Sequence, residues 1–118
     1  MLSLLQTLLQ MEGFTVSQVS ADEVEEIVSE IRQEEPELAL IDVHLRQISG
    51  LEILKQIRQD AELKDLFVLM SSGMDVGYKC MQAGADGFIL KPYMPDDLIR
   101  KIQEIINTTR PAREVASD

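Results

Sequence analysis

The chain has 118 residues, 45% of them hydrophobic, a formal net charge of −10 and a single cysteine. That suffices for one domain with one core, and the composition is that of a soluble globular protein, not a disordered one. The acidic balance disfavours direct contact with nucleic acid, and the lone Cys80 excludes an intramolecular disulfide and fits a reducing cytoplasm.

The first segment, MLSLLQTLLQM, is apolar but has no basic flank and no small-residue cleavage site. It is too short to span a bilayer and reads as an amphipathic helix, with no membrane partner implied. Leu2, Leu5, Leu8 and Leu9 recur at helical spacing up to Gly13, which is placed as a C-cap. Phe14 to Val19 reads as a short strand. Ser20 and Glu23 then have the spacing of a capping box, and Val24, Ile27, Val28 and Ile31 give the next helix one buried face.

After Pro36, Leu38 to Ile41 form an apolar run that reads as a strand buried on both faces and ending in Asp42. Ser49 and Glu52 form a second capping box, opening a helix that carries Leu51, Leu54 and Ile57. The strand Leu66 to Met70 leads into Ser71 and Ser72, followed by a short helix with Val76, Cys80 and Met81. Gly87 to Leu90 is a third strand, ending in Lys91-Pro92. Pro95, Asp96 and Asp97 suit the start of a final helix whose apolar stripe is Leu98, Ile102, Ile105 and Ile106. The polar stretch 109–118 reads as a tail. Alternating strands and helices imply parallel βαβ units, and open sheets of that kind bind ligands at the carboxyl ends of their strands. Asp42, a serine hydroxyl and Lys91 would meet on that rim, a set of groups suited to phosphoryl chemistry.

The stretches LALIDVHLRQISGLEIL, FVLMSSG and AGADGFILKPY, in this order and spacing, resemble the receiver domain of bacterial two-component response regulators, from about residue 2 to residue 108. The resemblance implies an α/β, flavodoxin-like open parallel sheet with helices on both faces, in the order 2-1-3-4-5. It implies a signalling module rather than an enzyme, accepting a phosphoryl group at Asp42 from a sensor histidine kinase or phosphotransfer protein. Lys91 would pair with Asp42 and then with a phosphoryl oxygen, across a cis Lys91–Pro92 bond. Ser72 would bind a phosphoryl oxygen, with Ser71 its rival but expected on the other face of the strand. Phe88 takes the place of the switch aromatic, its ring swinging inward as Ser72 moves. His44 would offer its backbone carbonyl to Mg²⁺ beside Asp42, and Arg46 would bring a cation near the phosphate.

One part of the family pattern is absent. Receivers begin with a central strand ending in an acidic pair that holds the metal, and this sequence starts after that point. Mg²⁺ binding is therefore expected to be weak or absent and phosphorylation impaired. The open slot would be closed by rearrangement, filled by another chain, or occupied by residues upstream of Met1, the last being the expected case. The segment from Ser72 to Gly84 is about one helical turn shorter than usual, which shortens the fourth helix of the family pattern. The expected partners are the kinase, a downstream protein or output domain, and a second copy through the exposed sheet edge or last helices. The alternative is a phosphorylation-independent pseudo-receiver serving interaction or assembly. A small flavin-binding protein is a weaker third reading, since the sequence has no Gly-rich phosphate loop and few aromatics.

Overall fold

The computed structural model describes residues 4–19, 21–45 and 47–107. The elements run α1 (Leu4–Met11), α2 (Val24–Glu34), β1 (Leu38–Asp42), α3 (Gly50–Gln59), β2 (Phe67–Ser72), α4 (Gly77–Gln82), β3 (Gly87–Leu90) and α5 (Pro95–Ile106). The strands form one parallel sheet in the order β1-β2-β3. Helices cover both faces. On one, Ile27, Val28 and Ile31 of α2, Ile53, Leu54 and Ile57 of α3 and Cys80 of α4 pack on Ala39, Ile41, Val68 and Met70. On the other, Leu9 of α1 and Leu98, Ile102 and Ile105 of α5 pack on Leu69. The expected flavodoxin-like architecture is therefore present, with a three-stranded sheet.

Helix α1 ends as its sequence implies. Gly13 has φ +95°, its N–H reaches the Gln10 carbonyl at 3.0 Å, and the N–H of Phe14 reaches Leu9 at 3.1 Å. That is a Schellman ending, for which glycine has no Cβ penalty. Helix α2 differs from expectation at its start. Its N-cap is Glu23, without a side-chain cap bond, so the helix begins three residues later than a Ser20 cap would place it. Ser20 itself lies outside the described residues, as do Leu2 and the tail 109–118. Ser49 is the N-cap of α3, but here too no side-chain bond closes the capping box.

Three strand expectations need correction. Phe14 to Val19 is not a strand. Phe14 and Val16 still pack into the α1/α5 core, and the Ser17 hydroxyl donates to Glu34 at 3.3 Å, but among the described residues no strand lies beside the segment to complete a ladder. Strand β1 is not buried on both faces: as an edge strand it leaves Leu40 38% exposed. Strand β2 runs past Met70 to Ser72, because Ser71 still pairs in register with Asp42 and Ile89. Leu90 of β3 and Met81 of α4 are likewise exposed, at the opposite edge of the sheet.

Candidate functional site

The carboxyl ends of the three strands carry the candidate residues. Asp42 closes β1, and the turn after it is held against the start of α3. The Gly50 N–H donates to the Val43 carbonyl at 2.7 Å, the Leu45 N–H to Ile48 at 3.1 Å, and His44 forms an isolated antiparallel bridge with Ser49. On the far side, the Val43 N–H donates to the Ser71 carbonyl and the Lys91 N–H to the Ser72 carbonyl, both at 2.8 Å. These bonds fix the order of the three strand ends across the rim.

Lys91 follows β3, and its peptide bond to Pro92 is cis. Its Nζ stands 2.8 Å from Oδ1 of Asp42, with both side chains partly open to solvent. A half-exposed pair of this kind contributes little to stability, but it sets a cation against the carboxylate at the strand ends. Tyr93 lines an open groove beside the pair with Gly73, Lys91 and Pro92. Burial pushes the Tyr93 phenol above its ordinary value; the Asp42 carboxylate adds to that shift and Lys91 opposes it.

The two serines lie differently from expectation. Ser71, not Ser72, reaches the acid: its Oγ–H donates to Oδ1 of Asp42. Asp42 and Ser71 are register partners on adjacent parallel strands, so their side chains share a face, and Ser72 one residue on points to the other. The two serines do face opposite sides of the strand, as expected, but it is Ser71 that shares the face of Asp42. The Ser72 oxygen accepts the Met74 N–H at 3.0 Å and closes the turn at Gly73. Phe88 is partly buried, packed against the α2/α3 core and the backbone of Gly77. His44 is exposed, and Arg46 lies outside the described residues.

The donors present do not fit a divalent metal. Among the described residues no three His, Cys, Asp or Glu side chains converge on a point. Asp42 supplies one carboxylate, and its Oδ1 already accepts from both Lys91 and Ser71. With the His44 carbonyl added, that falls short of the near-octahedral oxygen shell Mg²⁺ demands.

An ion-paired network behind the site was not legible in the sequence. Arg58 of α3 pairs with Asp86 at 3.0 Å and donates to the carbonyls of Gly84 and Leu66, each at 2.8 Å. Asp86 also accepts the Val68 N–H at 2.8 Å. The cluster ties α3, the start of β2 and the entry to β3 together, and so sets where Ser71 and Lys91 emerge. Its partners are 28 residues apart, a separation with no local signature.

Among known proteins, the family model of the response regulator receiver domain matches residues 1–103. The alkaline phosphatase synthesis transcriptional regulatory protein PhoP of Bacillus subtilis is 27% identical over 98% of this chain and 49% of its own length. The phosphate regulon transcriptional regulatory protein PhoB of Escherichia coli is 26% identical over 87% and 45%. The chain thus spans less than half the length of these curated relatives, and their being transcriptional regulators leaves the expected exclusion of nucleic acid without support. Among solved structures, a putative response regulator from Chloroflexus aurantiacus superposes with a TM-score of 0.77 at 28% identity, covering 88% of this chain and 86% of that one. The receiver domain of NtrX from Brucella abortus gives 0.74 at 25% identity, covering 90% and 89%. No helix among the described residues is long and apolar enough to cross a membrane. With the parallel sheet, the Asp42–Lys91 pair and the family match over most of its length, the chain belongs to the response regulator receiver domain family.

Proposed function

We propose that this chain is a signalling receiver that takes a phosphoryl group on Asp42 from the phosphohistidine of a sensor histidine kinase or phosphotransfer protein. The observation that carries the proposal is the Lys91 ammonium 2.8 Å from Oδ1 of Asp42 at the strand ends. A carboxylate attacks phosphorus readily only where positive charge offsets the crowding of oxygens. Ser72 and Phe88 share the sheet face opposite Asp42 and Ser71, so a switch through them would pass through the backbone at the end of β2 and not through a direct contact of Ser72 with the acid. The output passes through protein contacts to a downstream partner or domain, and the site lies in the cytoplasm, where such kinases present their phosphohistidine.

Mg²⁺ binding by these residues alone is weak or absent, and transfer to this chain is slow. The same short donor set favours a second reading, a receiver fold retained for interaction without phosphorylation. Intact mass after incubation with Mg²⁺ and a small acyl phosphate, beside Asp42→Asn, tests the pair. Gain of one phosphoryl group, lost in the variant, supports the receiver. No gain from either the small donor or a phosphorylated histidine kinase supports the second reading.

A further inference from the structure

We infer that Ser71 is a positioning residue for the acceptor carboxylate: its buried hydroxyl and Lys91 together hold Oδ1 of Asp42, leaving Oδ2 as the attacking oxygen. The inference rests on the proposed function for its kinetic consequence, but its geometry stands apart from it. Ser71 is 1% exposed, and its Oγ–H donates to Oδ1. Lys91 Nζ reaches that same atom at 2.8 Å. Among the described residues no donor reaches Oδ2. A buried hydroxyl keeps a partner wherever it can, so this contact is a stable part of the fold rather than a passing one. Register enforces it, because Asp42 and Ser71 sit side by side on β1 and β2. Ser72 cannot substitute, since it faces the opposite side and accepts the Met74 N–H.

The chemistry follows from which oxygen is held. Oδ2 forms the bond to phosphorus while the P–N bond of the phosphohistidine breaks, its electron pair staying on the imidazole nitrogen. Oδ1 becomes the carbonyl oxygen of the acyl phosphate, still facing Ser71 and Lys91. In hydrolysis, a water oxygen bonds to phosphorus as the P–Oδ2 bond breaks. The electron pair returns to the carboxylate, and the proton of water passes to solvent. A hydroxyl donates more strongly to a carboxylate than to an acyl carbonyl. Ser71 therefore favours the unphosphorylated acid and hastens return to it.

The test is the carboxyl ¹³C resonance of Asp42, with phosphoryl lifetime as a second readout, in the whole chain and its Ser71→Ala, Ser71→Cys and Ser71→Thr variants. Ser71→Ala and Ser71→Cys, which remove or weaken the donor, are expected to move the Asp42 resonance, and Ser71→Thr to restore it. Where the chain accepts a phosphoryl group, Ser71→Ala is expected to lengthen its lifetime about fivefold, the difference between a charged and a neutral acceptor, and Ser71→Thr to reverse this. An unchanged Asp42 resonance in Ser71→Ala overturns the inference, as does a shift in all three variants alike. A chain that takes no phosphoryl group, yet shows the resonance shift and its rescue, counts against the proposed function and leaves the Ser71 contact established.

Discussion

A Cβ placed on Gly50 would stand 1.9 Å from the carbonyl oxygen of Asp42 and 2.8 Å from its carbonyl carbon. Both obstructing atoms are backbone, so no side-chain rotation relieves the contact. The start of α3 is pressed directly onto the peptide of Asp42. The glycine eight residues after the acid therefore belongs to the site although it offers no functional group.

Gly50→Ala is expected to force α3 and the turn after Asp42 apart, at a cost of about 3 kcal/mol, the upper range for overpacking. Urea unfolding would report the loss. Phosphoryl labelling of Asp42 should fall further than the fraction unfolded accounts for, since the carboxylate moves with its own carbonyl. Stability within about 0.5 kcal/mol of the parent would mean that this close approach is not maintained in solution.

The Arg58–Asp86 pair, largely buried and joined to the backbone groups of Gly84, Lys64, Leu66 and Val68, gives a second expectation. Asp86→Ala leaves both the guanidinium and the Val68 N–H short of a partner, and should cost about 3 kcal/mol. Asp86→Asn keeps an acceptor for the N–H and should cost less. Equal losses in the two variants would show that the charge, and not the backbone contact, carries the effect.

How much of this was readable beforehand divides along a physical line. Asp42 and Lys91 stood out because each ends an apolar run, and the ends of parallel strands share a rim. The Gly13 cap and the apolar stripe of α5 are local patterns and appear as written. The choice between Ser71 and Ser72 is different, because it depends on the register of β1 against β2, and a shift of one residue reverses every face. Phe14 to Val19 failed for a related reason. Its alternation suits a strand, but a strand exists only with a neighbour, and among the described residues none lies beside it. Leu40 has the sequence of a buried residue and the position of an edge one, because among the described residues β1 pairs on one side only.

Glu35, the C-cap of α2, sits at φ +49° with its N–H on the Ile31 carbonyl. It is the one non-glycine residue at positive φ among those described. It also places an acid at the negative end of the helix dipole. Glu35→Gly removes the backbone strain and the charge together and is expected to stabilise the fold by about 1 kcal/mol. Glu35→Gln keeps the strain and removes only the charge. Chemical unfolding of the two variants separates the contributions: if backbone strain dominates, only the glycine raises the midpoint appreciably.

Asp60 provides the pH dependence. Its carboxyl accepts from the Arg32 guanidinium and, at 2.8 Å, from the Glu62 N–H. The Arg32 bond, followed by the Glu62 N–H, holds the carboxyl below its ordinary value. A folded-state value below the unfolded one means that the unfolded chain binds the proton more readily. Stability from this group is fully present above the unfolded carboxylate value, about 3.9, and is lost as pH falls through the lower folded value. Unfolding midpoints measured downward from about pH 5 should therefore decline, and decline less steeply in Arg32→Gln. Because the pair stands at the surface, added salt should narrow the gap between parent and variant. Parallel pH profiles at low salt would show instead that Arg32 does not hold Asp60 in solution, leaving the Glu62 N–H as the group that sets its titration.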